Sequence, residues 1–156
     1  MSRYRYWIGV LAATLLGMIF TVAGVGKLLS HSSSYEAFLF PSFLPGAVAD
    51  YAYAVFPYLE LTIGLLLICG IAVKFTASLS MGMVACFIAS NLYLLSNGVG
   101  TCGECFGVAG GLTVYAALVL DGLMAIMTVI ILITYQGKYF NGTPWYLTGH
   151  TATRSA

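Results

Sequence analysis

Of 156 residues, 60% are apolar and only 7% charged, with a net charge of +1, whereas a soluble domain carries roughly 25% charged residues; this chain cannot cover itself with water-facing groups. No basic run is present to neutralise phosphates, which excludes a nucleic-acid partner, and no phosphate-binding glycine loop, zinc-protease helix motif or dinucleotide fingerprint occurs. One domain whose apolar surface faces membrane lipid is the expectation at this length.

Four apolar stretches each suffice to cross a hydrocarbon core, which takes roughly 20 helical residues. The first runs from Trp7 to Gly26 behind Arg3 and Arg5, and its length and flanks read as a retained span rather than a cleaved signal peptide. After Lys27 comes "SHSSSYEAFLFPSFLP". There Ser33 and Glu36 have capping-box spacing for a short helix, Phe38, Phe40 and Phe43 suit the membrane interface, and Pro41 and Pro45 prevent a long helix.

The second span, Tyr51 to Val73, contains Pro57, which leaves the carbonyl of Tyr53 without its donor and predicts a kink one turn outside Glu60. Only Lys74 and Phe75 separate it from the third span, Thr76 to Ser96, so these two helices are antiparallel neighbours. A loop, Asn97 to Leu112, holds "TCGECFG" and leads to the fourth span, Thr113 to Tyr135. The fold class predicted is all-α: an integral-membrane four-helix antiparallel bundle over residues 1–136, followed by an irregular tail, 137–156, in which Trp145 and Tyr146 rest at the inner surface.

If the four helices alternate, Arg3, Arg5, Lys74, Lys138 and Arg154 fall on one side and Lys27 alone on the other. The excess of Lys and Arg marks the cytoplasmic side. Both termini and the tail are then cytoplasmic in a multi-pass membrane protein, and Cys102 and Cys105 face outward, where disulfides persist.

Glu60 in the second span and Asp121 in the fourth are costly to keep, at about 2.5 to 3.5 kcal/mol for a charged group at the bilayer centre. With Asn91 and Lys27 they form an intramembrane polar cluster in the outer half of the bundle. Gly17, Gly24 and Lys27 share one helix face, and Pro57, Glu60 and Gly64 another, so small residues allow close approach beside the charges. Two readings stay open: Lys27 pairs with Glu60 or Asp121 simply to set helix register, or the group is a proton relay or polar pocket beneath the outer loop.

Cys102 and Cys105 are the candidate catalytic residues. Cys-x-x-Cys lets one thiolate attack a mixed disulfide formed by the other, whereas as a staple a four-residue loop removes only about 2 kcal/mol of chain entropy. Zinc would need further ligands, and His31 is the only outward histidine, so no metal is expected. Glu104 between the thiols disfavours a thiolate, which predicts a reducing pair rather than a strongly oxidising one. Cys69 and Cys86 read as inert core thiols.

The segments "GVGKLLSHSSSYEAF", "FPYLELTIGLLLICG" and "CGECFG", with Asp121 after them, resemble the DoxX-like membrane proteins and, among them, the MauE group of methylamine utilisation. The resemblance places Lys27, Glu60, Cys102, Cys105 and Gly107 at the family's marked positions. It implies assistance in thiol-disulfide maturation of a periplasmic or membrane partner protein, and it brings in quinone as a cofactor of related oxidoreductase complexes. The competing expectation is a non-catalytic accessory subunit of a larger membrane redox complex, with a permanent 102–105 disulfide shaping its outer loop.

Overall fold

The computed structural model describes residues 3–29, 46–98, 100–102 and 112–135. Four helices account for nearly all of them: α1 Arg3–Leu29, α2 Gly46–Cys69, α3 Val73–Ser96 and α4 Val114–Thr134. A two-stranded antiparallel ladder, β1 Thr101–Cys102 and β2 Leu112–Thr113, stands just before α4. The predicted all-α bundle is therefore what forms, with one small ladder that hydropathy did not announce. The expected short helix at Ser33–Glu36, the aromatic residues beside it, Cys105 and the tail after Tyr135 lie outside the described residues.

Lipid exposure explains the helix surfaces. Along α1 the exposed side chains include Tyr4, Trp7, Leu11, Leu15, Met18, Val22, Val25 and Leu29, and along α4 Tyr115, Val119, Leu123, Ile126, Val129 and Ile133. Both stripes follow the three-to-four-residue helical repeat and both are apolar, the pattern of a helix that meets hydrocarbon on its outer face. Three helices are long and apolar enough to cross a membrane, Tyr6–Leu29, Val73–Ser96 and Val114–Thr134, while the apolar part of α2 is Ala54–Cys69. At 24 residues α2 reaches about 36 Å, more than a hydrocarbon core of about 30 Å. The chain is a multi-pass membrane protein in contact with lipid.

The helices follow one another around the bundle, α1 against α2 and α4, and α3 against α4, with α2 and α3 touching more lightly. The α1–α2 seam is the closest approach. A Cβ on Gly17 would lie 2.8 Å from the carbonyl oxygen of Gly64, and one on Gly24 2.9 Å from that of Pro57. Only hydrogen side chains permit backbones to approach this far. The core between the helices is filled by Leu16, Phe20, Ile63, Leu67, Val84 and Ile131, all essentially inaccessible.

The α2–α3 connection differs from expectation. Helix α2 ends at Cys69, the turn is Gly70 to Ala72, and Lys74 and Phe75 belong to the first turn of α3. Gly70 adopts φ 67°, its N–H donates to Leu67 O at 3.2 Å and the N–H of Ile71 to Leu66 O at 3.0 Å. That paired closure is a Schellman cap, in which the left-handed glycine ends the helix and satisfies its last carbonyls. Ala72 is also left-handed, φ 46°. At the start of α3, Thr76 sends its hydroxyl back to Ala72 O at 3.2 Å.

Candidate functional site

At one end of the bundle the C-termini of α1 and α3 meet the N-termini of α2 and α4, and each helix contributes one strongly polar side chain there. Lys27 sits in the last turn of α1 and Glu60 fourteen residues into α2, so the first turns of α2 extend past the end of α1. The Lys27 ammonium donates to Glu60 Oε1 in a direct ion pair. Glu60 is completely buried, while Lys27 keeps 12% of its side chain exposed. Glu60 Oε2 is buried as well and has no hydrogen-bond donor among the described residues.

On the other side of the bundle Asn91 Nδ2 donates to Asp121 Oδ2 at 2.8 Å, joining α3 to α4 with both residues buried. Asp121 lies two turns into α4, about 10 Å below its first residue. Of the two pairings the sequence left open for Lys27, the direct one is to Glu60.

Two aromatic residues that sequence reasoning missed complete this layer. The Lys27 ammonium lies 5.1 Å from the centroid of the Phe87 ring, close enough for a cation–π attraction that partly replaces lost hydration. Phe87 in turn packs on Phe56, centroids 6.3 Å apart and tilted by 49°. Each phenylalanine stands four residues before a polar member on its own helix, Phe87 before Asn91 and Phe56 before Glu60. That i, i+4 spacing shares a helix face and is the signal by which they were findable.

Above this layer the β1–β2 ladder holds the start of the cysteine stretch. Thr101 pairs with Thr113 and Cys102 with Leu112, and the N–H of Val114 donates to Gly100 O at 3.2 Å. Thr113 is at once the last residue of β2 and the N-cap of α4, its hydroxyl accepting from the Ala116 N–H at 3.3 Å. Such a cap satisfies one of the donors left open at a helix start. The Cys102 backbone is thus tied to the first turn of α4, the helix that carries Asp121. Cys105 lies outside the described residues.

Cys69 and Cys86 are not core thiols; both are free and exposed on the outside of the bundle. The reason is that the exterior of a membrane bundle is itself apolar, so a small apolar thiol gains nothing by turning inward. Deeper in the bundle, Ser80 and Thr128 meet at 3.5 Å between α3 and α4, each also bonded to its own helix, to Ala77 O and Met124 O. Among the described residues no three His, Cys, Asp or Glu side chains gather as a metal site.

Compared with known proteins, residues 5–135 match the family described as methylamine utilisation protein MauE. No curated protein matches the chain, and no solved structure does.

Proposed function

Since this chain belongs to the MauE family, we propose that it is a bacterial inner-membrane protein whose outward Cys102 and Cys105 exchange with the disulfides of a periplasmic or membrane-bound partner protein. Both termini and the tail, 137–156, face the cytoplasm in this reading, as the Lys and Arg distribution favours. The observation that supports it is the anchoring of Cys102: the ladder fastens its backbone to α4 at the end of the bundle where Lys27, Glu60, Asn91 and Asp121 converge.

In the exchange, one thiolate attacks a disulfide of the partner, forms a mixed disulfide and releases the partner's first thiolate. The second thiol then displaces the partner, which leaves with two thiols while a 102–105 disulfide remains. Two electrons pass to the partner. Restoring the dithiol takes a further two-electron donor more reducing than the pair, such as the dithiol of a second membrane protein; quinone would accept electrons from the pair if the exchange ran in the opposite direction.

The test is to label intact cells with a membrane-impermeant thiol reagent, with and without mild reductant, and to trap covalent complexes after Cys105→Ser. Reductant-dependent labelling together with a trapped partner is the expected result. A pair that is always oxidised, captures nothing and tolerates double serine replacement sinks this reading.

That outcome would instead support a non-catalytic subunit of a larger membrane complex. What favours this second reading is the outer face of α3, where Ser78, Gly82, Ala85 and Ala89 are exposed and Gly82 has open space before it. Small residues in a lipid-facing row let another helix approach closely.

A further inference from the structure

The buried layer holds two carboxyl groups, Glu60 and Asp121, and one ammonium group, Lys27. Among the described residues the remaining polar member around it is the neutral amide of Asn91. Tyr58 of α2 and Tyr115 of α4 are exposed on the outside, and Tyr93 of α3 lies two positions from Asn91, off its face. Arg3 and Arg5 at the start of α1 and Lys74 at the start of α3 belong to the opposite end of the bundle. Fully ionised, the layer would carry one negative charge uncompensated among the described residues, an arrangement that low-dielectric surroundings penalise heavily. A second observation points the same way. Glu60 Oε2 is fully buried and meets no donor among the described residues.

We propose that this layer is a proton-binding site: Glu60 and Asp121 together hold one proton at neutral pH, in addition to the proton of the Lys27 ammonium. That proton cancels the excess charge and turns one of the carboxyl oxygens from an acceptor into a donor. The charge count sets one proton for the layer and does not assign it to either acid. The inference goes beyond the thiol reading and does not depend on it.

The experiment is infrared spectroscopy of the purified full chain in lipid nanodiscs at neutral pH, with carboxyl-labelled aspartate or glutamate, in sodium-free and sodium-containing buffer. The result expected is a protonated-carboxyl band equivalent to one group, shifted by one or other label and indifferent to sodium. Removing either acid, by Glu60→Gln or Asp121→Asn, abolishes the band, because the acid that remains balances Lys27. Lys27→Met doubles it. His31→Ala and the double Cys102→Ser/Cys105→Ser variant leave it unchanged, the latter separating this proposal from the thiol chemistry.

No band in the wild-type protein overturns the proposal, as does a band that sodium removes, one that survives Glu60→Gln, or one that changes with His31. If a charge variant fails to fold by circular dichroism, the labelled wild-type measurement still decides.

Discussion

A lysine and a glutamate that meet inside a hydrocarbon layer are stable only together, because the attraction between them offsets what each loses in leaving water. Glu60 is wholly inaccessible and Lys27 nearly so. Replacing one partner, as in Glu60→Gln, breaks the direct pair and is expected to lower stability by about 1 to 3 kcal/mol, because Asp121 still balances Lys27, while Lys27→Met with Glu60→Leu costs less. Thermal unfolding of the single and double variants in one detergent, read as a double-mutant cycle, checks this; additive losses would show that the pair is not coupled. Asn91→Leu removes the donor to Asp121 Oδ2 and is expected to cost about 1 to 3 kcal/mol in the same assay. The polar residues of this layer were legible in the sequence because each stands out in an apolar helix. Phe56 and Phe87 were legible only through their i, i+4 spacing from Glu60 and Asn91, since in a membrane helix an apolar side chain is equally at home facing lipid or core.

Between helices, the seam of α1 and α2 depends on glycine for lack of a side chain. A Cβ at Gly64 would meet Thr21 N at 2.8 Å and Gly17 O at 2.8 Å, so Gly64→Val forces the helices apart. Overpacking of this kind costs about 1 to 3 kcal/mol. Gly82 has nothing within 4 Å, and Gly82→Ala is expected to be neutral or to stabilise by up to about 1 kcal/mol through helix propensity. Thermal midpoints that fall for the first and hold for the second are the expected outcome; equal effects would refute the seam. Sharing of a face by Gly17, Gly24 and Lys27 was readable from helical spacing. The end of α2 was misjudged because hydropathy continues unbroken to Val73, whereas termination rests on the local chemistry of Gly70 in its left-handed cap. Gly70→Ala is expected to cost about 1 to 2 kcal/mol.

For the molecule as a whole, alternation of four helices ties the side of every loop to that of the N-terminus. An alkaline phosphatase fused after Gly98 is expected to be active and one fused after Tyr135 inactive, measured in intact cells; the reverse pattern would put the cysteine stretch in the cytoplasm and end the thiol reading. Cys69 and Cys86, exposed on the lipid side, are expected to react with a lipid-soluble maleimide and to resist an impermeant one.

Composition alone determined that this chain lives in a membrane and that its helices alternate, because so few charges leave no other solvent for its surface and the apolar runs are each long enough to span. Which carboxyl takes Lys27, which aromatic rings surround it, and that Cys102 is fastened to α4 were decided by tertiary structure. Those are relations between residues tens of positions apart. One-dimensional hydropathy carries the depth of a side chain along its helix, but the rotation of one helix against the next comes only from packing.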